Sequence, residues 1–234
     1  MNLLKDEAEK LGIVLTQEQL NQFSVYKDYL LEYNSHTNLT SIKNDDDILI
    51  KHFLDSIAFL KFIKIEDNSK LIDVGTGAGF PGMPIKIVKP LVNVTLVDSL
   101  NKRITFLKNL SEKLGIEAEI LHARAEELSL NKSYRGKFDY VVSRAVAPLN
   151  ILVEYCLPYL KVGGCFVVLK GFEISQELEN AKNAINILGA VLESSFKFEL
   201  PFEKGKRSVL VLRKVKETNS KYPRKNSKIS SEPL

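Results

Sequence analysis

The residues best suited to bind a small molecule lie in one glycine-rich loop. Four glycines follow an apolar run that ends in Asp73, and they are Gly75, Gly77, Gly79 and Gly82. Glycine lacks a Cβ and tolerates positive φ, so the backbone of such a loop can come close to a ligand. In open α/β sheets, ligands bind where a strand ends and the next helix begins. The loop therefore predicts a small-molecule site.

Two cofactors fit this loop. Gly75, Gly77 and Gly79 resemble the first motif of methyltransferases that use S-adenosylmethionine. Gly77, Gly79 and Gly82 match the dinucleotide fingerprint instead. Both interpretations need an acid about 20 residues further on, and Asp98 supplies it at the end of the second predicted strand. We expect the Asp98 carboxylate to accept hydrogen bonds from both ribose hydroxyls, with a cap of the following helix as the alternative.

The position of the loop favours S-adenosylmethionine. The dinucleotide interpretation needs its first glycine directly after the strand, yet Gly77 lies four residues beyond Asp73. Pro81 also removes a backbone amide that a pyrophosphate could use, whereas S-adenosylmethionine has no phosphate. We expect Asp73 to reach the ammonium group of the ligand, directly or through water, with capping of the next helix as the alternative. An NAD-dependent oxidoreductase would further need a Tyr and Lys acid/base pair after the fourth strand, and the sequence has none there.

Strands and helices alternate from Lys70 onward and predict an α/β fold. The predicted strands are Leu71–Val74, Val92–Val97, Ala118–Leu121, Phe138–Ser143, Cys165–Leu169, Val191–Lys197 and Ser208–Arg213. Apolar strands separated by helices indicate a mostly parallel sheet that is covered on both faces. The last two strands lack a full helix between them, so we expect an antiparallel pair at one edge of a Rossmann-like, seven-stranded sheet.

The region before the sheet predicts a helical extension over residues 1–65. Thr16 is a predicted N-cap, with Gln19 three positions later, and apolar residues recur at helical spacing after it. The aromatic members of this stripe, which we expect to pack in the core, are Phe23, Tyr26, Tyr29 and Tyr33. We assign residues 66–216 to the Rossmann-like domain and residues 217–234 to a basic C-terminal tail.

The charge of the chain is distributed unevenly. The net charge is +4, but the stretch from Glu203 to Lys228 carries ten Lys or Arg and two Glu, which is +8. A basic stretch of this kind indicates either a solubilising tail or an arm that binds phosphates. The end of the chain, from Lys216 to Leu234, is polar enough to be disordered in isolation.

The composition indicates a cytoplasmic protein in a reducing compartment. Hydrophobic residues make up 44% of the 234 positions, and no run approaches the roughly 18 apolar residues of a membrane span. Cys156 and Cys165 lack CxxC spacing, and the chain begins without an apolar export segment. The three histidines lack metal-ligand spacing, so we expect no metal. The short apolar runs predict no membrane contact, and a monomer is the default expectation.

Several further motifs make the resemblance to one family specific over nearly the whole chain. They are Asn38-Leu39-Thr40, His52-Phe53-Leu54-Asp55-Ser56, Phe80-Pro81-Gly82, Val97-Asp98-Ser99-Leu100-Asn101-Lys102-Arg103, Arg124-Ala125-Glu126-Glu127, Val142-Ser143-Arg144-Ala145-Val146-Ala147, Lys170-Gly171 and Tyr222-Pro223-Arg224-Lys225. With the glycine loop, this set resembles the bacterial small-subunit (16S) ribosomal RNA guanine-N7 methyltransferase G family, also called glucose-inhibited division protein B. The resemblance implies a class I S-adenosylmethionine-dependent methyltransferase fold and methylation of N7 of one guanine in 16S ribosomal RNA.

The resemblance also implies the residues of the site. The predicted cofactor-binding residues are Asp73, Gly75, Gly77, Phe80, Asp98, Ser99, Ala125, Glu126 and Arg144, with Ala125 and Glu126 at the adenine. Arg144 is placed beside the reacting methyl group and is the predicted catalytic residue. Guanine N7 carries a lone pair and no proton, so the reaction needs placement rather than a general base. A guanidinium can contact guanine O6, and we expect Arg144 to position the base or to back the cofactor. A phosphate clamp or a surface ion pair is the alternative.

The predicted RNA-binding residues are basic and lie on the rim and in the tail. They are Lys102, Arg103, Arg207, Lys221, Arg224 and Lys225, and the wider arm also includes Lys204, Lys206 and Lys214. The family usually continues after the Arg-Lys pair with a small residue, glycine and proline, whereas this chain has Asn226-Ser227-Lys228. Two other functions stay open from the residues alone, a non-catalytic RNA-binding protein and a methyltransferase that acts on another substrate.

The pair His52 and Asp55 has two interpretations. The two residues share a helical face at a spacing of three, which favours a local hydrogen bond between them. The resemblance instead implies that this segment lies beside the glycine loop, near the cofactor entrance.

Overall fold

A single seven-stranded sheet organises the chain. The computed structural model describes residues 1–42 and 44–234. The strands are β1 Lys70–Val74, β2 Asn93–Asp98, β3 Glu119–His122, β4 Phe138–Arg144, β5 Leu160–Gly171, β6 Ala190–Glu199 and β7 Lys206–Lys214, in the spatial order β3-β2-β1-β4-β5-β7-β6. The first five strands pair in parallel, whereas β7 pairs antiparallel to both β5 and β6. The predicted parallel sheet and its antiparallel edge are therefore confirmed.

Helices before, between and after the strands complete the fold. They are α1 Asn2–Lys10, α2 Gln17–Thr37, α3 Asp45–Asp47, α4 Asp55–Ile57, α5 Gly82–Val88, α6 Asn101–Leu114, α7 Ala125–Leu128, α8 Leu149–Cys156, α9 Ser175–Ile187 and α10 Asn226–Ser231. Gly115 ends α6 with φ of 62°, a left-handed conformation that glycine adopts without penalty. Among the described residues, no helix is long and apolar enough to cross a membrane.

The helical extension shares a hydrophobic core with one face of the sheet. Thr16 and Gln19 form the predicted capping box at the start of α2. Phe23 and Tyr26 of that helix are fully buried, and the Tyr26 hydroxyl donates a hydrogen bond to the Ala78 carbonyl in the glycine loop. The aromatic stripe therefore packs in the core, as predicted, and it also braces the loop. The boundaries of the extension at residue 65 stay a proposal.

The segment after α3 changes its helical type where it approaches the loop. A π-helix over Ile48–Leu54 joins α3 to α4, and a 3₁₀-helix over Ala58–Lys61 follows. π-Helical turns, which are wider than α-helical ones, occur often at functional sites. Here the π-helix carries His52, and Asp55 begins the next turn.

The C-terminal tail, which the sequence predicts to be disordered in isolation, is ordered here against the rest of the chain. Tyr222 and Ile229 are buried, and the tail ends in the short helix α10. The guanidinium of Arg224 binds both carboxylate oxygens of Glu154 in α8, and that carboxylate is fully buried. Arg135 adds hydrogen bonds to carbonyl groups of the tail. The sequence pattern does not show these contacts because they join residues about 70 or more positions apart.

Candidate active site

A cavity of about 850 Å³ lies at the carboxyl ends of the parallel strands. This volume falls within the roughly 300–1,000 Å³ that is typical of small-molecule sites. Residues from the glycine loop, from the ends of β2, β4 and β5, and from the π-helix form its wall. Eight of the nine predicted cofactor-binding residues line it, namely Gly75, Gly77, Phe80, Asp98, Ser99, Ala125, Glu126 and Arg144.

Two of the four loop glycines, Gly75 and Gly77, face the cavity, whereas Gly79 and Gly82 pack against buried side chains. A Cβ on Gly77 would meet no atom within 4 Å, and a Cβ on Gly75 would meet Val146, another residue of the cavity wall. A Cβ on Gly79 would lie 2.6 Å from the Tyr26 hydroxyl, in the core. Gly79 is the glycine that the dinucleotide fingerprint needs beside a pyrophosphate, so the geometry opposes that fingerprint.

Asp73 supports the loop from behind and does not line the cavity. Its Oδ2 accepts hydrogen bonds from the Thr76 hydroxyl at 2.6 Å and from the Gly82 amide at 2.7 Å. Burial raises the pKa of Asp73 to about 7, although these two hydrogen bonds favour the ionised form. Asp73 Oδ2 thus holds the loop and the first amide of α5, whereas Oδ1 has no hydrogen-bond partner among the described residues. The bond to the α5 amide is the capping role that the sequence left as the alternative. Contact of Asp73 with the ammonium group of the ligand, directly or through water, stays a prediction.

Asp98 presents its carboxylate beside the loop at the end of β2. Its Oδ2 accepts from the Gly77 amide at 2.9 Å, and its Oδ1 accepts from the Leu100 amide at 2.9 Å. Arg103 donates to the same carboxylate at 3.0 Å. Asp98 thus fixes the glycine loop and the start of α6 together. A buried carboxylate in the cavity wall is suited to accept hydrogen bonds from the hydroxyls of a ribose.

Arg144 is held in the wall by an acid from the π-helical segment. Its guanidinium donates to Asp55 Oδ2 at 3.0 Å, and Asp55 Oδ1 accepts from Arg207 Nε at 3.0 Å. The Asp55 carboxylate is almost completely buried, and both arginines line the cavity. Two guanidinium groups from β4 and β7 therefore converge on one carboxylate at the edge of the cavity.

His52 is a neutral member of this cluster. Burial and the charge of Arg144 lower the pKa of His52 to about 3. Arg144 donates to His52 Nδ1 at 3.3 Å, so Nδ1 accepts and Nε2–H donates to the Thr40 hydroxyl at 2.8 Å. The imidazole also stacks on Phe80, with a centroid distance of 4.4 Å. The predicted local bond between His52 and Asp55 is wrong, since both side chains bind Arg144, whereas their position near the loop is confirmed.

The adenine side of the cavity, as the resemblance assigns it, contains α7. Ala125 and Glu126 open this short helix, and the Tyr159 hydroxyl donates to the Ala125 carbonyl at 2.7 Å. Ser99, at the end of β2, lies in the wall of the same cavity. These residues come from loops after β2 and β3, so the sheet order brings them together.

The predicted RNA-binding residues fall into two groups. Lys102, Lys221 and Lys225 are exposed. Arg103, Arg207 and Arg224 instead pair with acids of the protein, namely Asp98, Asp55 and Glu154.

The assignment of Lys214 to the wider basic arm is wrong, because this residue is 1% exposed and its ammonium group donates hydrogen bonds to the Leu157 and Leu188 carbonyls. The structure therefore does not form one continuous basic arm, since its charges are partly used inside the fold.

The role of Asp55 and the presence of two further residues in the site do not follow from the sequence. Sequence spacing indicates Asp55 only as a local partner of His52, although the resemblance implies that its segment lies near the cofactor entrance. Tyr155 from α8 and Asn226 from the tail also line the cavity, and the sequence offers no signal for either. Within the described residues, no group of three His, Cys, Asp or Glu side chains could hold a metal ion.

Comparison with a solved structure supports the fold. TrmN from Thermus thermophilus aligns with a TM-score of 0.54 and 19% identity, over 68% of this chain and 48% of that chain. This chain thus spans about half the length of that protein. The likeness concerns the fold alone, and the predicted Rossmann-like fold with its seven-stranded, mostly parallel sheet is confirmed.

Comparison of sequences identifies the family. A ribosomal RNA small subunit methyltransferase G from Alkaliphilus oremlandii (strain OhILAs) is 49% identical over 100% of this chain and 98% of its own length. The protein of the same name from Acetivibrio thermocellus is 49% identical over 99% of this chain and 96% of its own length. Residues 19–209 also match the family described as rRNA small subunit methyltransferase G. The chain belongs to the rRNA small subunit methyltransferase G family.

Proposed function

We propose that the protein transfers the methyl group of S-adenosylmethionine to N7 of one guanine in the 16S ribosomal RNA of the small subunit. The observation that carries this proposal is the membership of the whole chain in the rRNA small subunit methyltransferase G family. The cavity beside the glycine loop supports it, because its wall contains eight of the nine residues that the family resemblance assigns to the cofactor. An NAD-dependent oxidoreductase is not favoured.

The residues of the cavity fit the cofactor. Gly77 has φ of 63° and open space where a Cβ would stand, so its backbone can lie against a ligand. We assign the methionine part to Gly75 and Gly77, the ribose to Asp98 and the adenine to the Ala125-Glu126 side. Phe80 and Ser99 complete the proposed cofactor set, whereas Arg144, which the resemblance also assigns to the cofactor, is proposed to act mainly on the guanine.

The chemistry requires positioning rather than proton transfer. S-adenosylmethionine supplies a methyl group on a positively charged sulfur when it is bound. The N7 atom of guanine attacks with its own lone pair, so no side chain has to remove a proton. In this mechanism Arg144 contacts the guanine and aligns it, and Asp55 holds Arg144 in place. His52 stays neutral at physiological pH and therefore adds no positive charge beside the sulfonium.

The RNA partner is proposed to bind around the mouth of the cavity. The exposed Lys102, Lys221 and Lys225 can contact phosphates, which gives affinity that depends on salt and carries little sequence information. Selection of one guanine then rests on RNA shape and on a base presented outside a helix. We further propose a monomer that works in the cytoplasm.

The function is tested by methyl transfer to ribosomal RNA. Small-subunit RNA from cells that lack this protein should accept labelled methyl groups at one guanine, and mapping should place the label at N7. RNA from cells that contain the protein is the matched control, because its site is already modified and should accept almost no label. Equal labelling of both RNAs, or label on another atom, would contradict the proposal.

A further inference from the structure

The C-terminal tail reaches the cofactor cavity. Asn226, the first residue of α10, lies in the cavity wall together with Tyr155 of α8. The same wall contains Ala125 and Glu126, the residues assigned to the adenine side. Helix α8 packs against both α7 and α10, so it brings the tail next to the loop that follows β3. The cavity is therefore bounded in part by residues that the glycine-loop motifs do not include.

Several buried contacts fix the position of the tail. The Arg224 amide donates to Glu154 Oε1 at 2.8 Å, and its guanidinium binds both oxygens of that carboxylate. Glu154 is fully buried, whereas Asn226 follows Arg224 by only two positions. Ile229 packs into the interior from the other side of Asn226. The backbone of Asn226 is thus held on both sides by anchored residues.

The side chain of Asn226 is oriented by Tyr155. The Tyr155 hydroxyl donates a hydrogen bond to Asn226 Oδ1. The carboxamide nitrogen Nδ2 makes no hydrogen bond with any residue that the structure describes. An asparagine amide offers donors and an acceptor, and it can therefore bind the polar edge of an adenine ring. The fixed carbonyl and the unused NH₂ group indicate a recognition role.

We propose that Asn226 binds the adenine ring of the cofactor and that Tyr155 is its positioning residue. The inference rests on the proposed function in one respect, namely that S-adenosylmethionine is the ligand. It gives the tail a second role besides RNA contact, since the segment that carries the exposed lysines also completes the cofactor site. In this proposal Lys221 and Lys225 contact the RNA, and Asn226 contacts the cofactor.

Calorimetry with S-adenosylhomocysteine tests the inference on the full chain. Asn226→Ala should weaken binding by about tenfold, the loss expected for one hydrogen bond to a ligand. Ser227→Ala is the matched control, because Ser227 is the exposed neighbour in the same helix. It should bind S-adenosylhomocysteine like the wild type. Equal affinity of Asn226→Ala and the wild type would overturn the inference.

Four ligand analogues separate a contact from a structural effect. In each, one polar group of adenine is removed, by carbon in place of N1, N3 or N7 or by hydrogen in place of the 6-amino group. The analogue that lacks the group contacted by Asn226 should bind the wild type about tenfold more weakly than S-adenosylhomocysteine does. The Asn226→Ala variant should bind that analogue and S-adenosylhomocysteine equally tightly. If Asn226→Ala reduces the affinity for all four analogues as much as for the parent ligand, the residue does not touch adenine.

The positioning role of Tyr155 has its own test. Tyr155→Phe should weaken S-adenosylhomocysteine binding in the wild type and should have no further effect in Asn226→Ala. An undiminished effect in that background would overturn the role. A wild-type protein that binds no S-adenosylhomocysteine would refute this inference together with the proposed cofactor. A wild-type protein that binds it but methylates another substrate would refute only the proposed RNA reaction.

Discussion

Arg144 and Asp55 form an ion pair at 3.0 Å that joins the end of β4 to the helical segment in front of the sheet. The Arg144 side chain is 14% exposed and the Asp55 side chain 6%, so water screens the pair only weakly. The same carboxylate binds Arg207 of β7. One acid therefore fixes two guanidinium groups at the edge of the cavity, which is the kind of support that a positioning mechanism needs.

Replacing Arg144 tests whether this guanidinium aligns the substrate. Arg144→Ala should lower turnover on ribosomal RNA by on the order of 100-fold, as expected when a transition-state interaction is removed. Its affinity for S-adenosylhomocysteine should change by no more than about threefold. The fold should persist, since Asp55 keeps its bond to Arg207. Steady-state kinetics and calorimetry measure the two effects separately.

Arg213→Ala is the matched control for this substitution. Arg213 pairs with Glu193 on an exposed part of the sheet and does not line the cavity. Its turnover should equal that of the wild type. Unchanged turnover in Arg144→Ala would remove Arg144 from the reaction and leave it as a structural partner of Asp55.

A pair of glycine substitutions tests the backbone contact with the cofactor. Gly77 and Gly12 have φ of 63° and 78°, and a Cβ at either would meet no atom within 4 Å. Alanine at either position should therefore lower the free energy of unfolding by a similar amount, about 1 kcal/mol, because both backbones lie in the left-handed region. Only Gly77→Ala places a methyl group in the cavity, so only it should lose S-adenosylhomocysteine binding.

Thermal unfolding and calorimetry measure these two properties. Cofactor binding that survives in Gly77→Ala, at a stability equal to that of Gly12→Ala, would show that the ligand does not approach this part of the loop.

Sequence alone predicts the local parts of the fold well. The start of α2 is predicted correctly, because Thr16 and Gln19, three positions later, are a strong signal for the beginning of a helix. The parallel strands and the antiparallel edge also follow from the spacing of apolar runs. The site residues on the glycine loop are predictable for the same reason, since strand, turn and helix are contiguous in sequence.

The failures concern contacts between distant parts of the chain. The charge run near the C-terminus indicates a solubilising tail or a phosphate-binding arm, but Lys214 is buried and Arg224 binds Glu154. A charge count cannot show that an acid 70 positions away is placed to receive a particular arginine. The position of Asn226 in the cavity wall is equally hidden from the sequence, because only the docking of the tail brings it there.

The pair Arg224 and Glu154 should contribute strongly to stability. Arg224→Ala leaves the Glu154 carboxylate, which is fully buried, with only a backbone hydrogen bond, and this should cost about 3–5 kcal/mol. Arg213→Ala, which breaks an exposed pair, should cost at most about 1 kcal/mol. Urea unfolding of both variants makes the comparison. Equal losses in the two variants would mean that the tail is not anchored by this pair.

Lys214 should make stability depend on pH above neutrality. Burial lowers the pKa of its ammonium group to about 7, whereas the unfolded chain has an ordinary value near 10.5. Between these values the unfolded state binds more protons, so stability rises with pH, by up to about 1.4 kcal/mol per pH unit. Below pH 7 both states are protonated and the contribution no longer changes.

The comparison with Lys214→Met isolates this effect. The difference in unfolding free energy between the wild type and this variant should move in favour of the wild type from about pH 7.5 to about pH 9.5, inside the window between the two pKa values. Lys216→Met, at an exposed neighbouring position, should show no such trend. A difference that stays constant across this range would mean that the buried ammonium keeps its proton up to the pKa of a free lysine.

The exposed lysines of the tail should control the salt dependence of RNA binding. The double variant Lys221→Ala/Lys225→Ala removes two charges that face solvent and leaves the cavity wall intact. Its plot of log affinity against log salt concentration should be less steep by roughly 0.7 to 1 for each phosphate that the removed lysines neutralise in the wild type. Lys10→Ala, which replaces an exposed lysine of α1, should leave the slope unchanged.

Point variants are better than truncation here, because removal of the tail would also remove Asn226 from the cofactor cavity. An unaltered slope in the double variant, with S-adenosylhomocysteine bound normally, would place the phosphate-binding residues elsewhere on the protein.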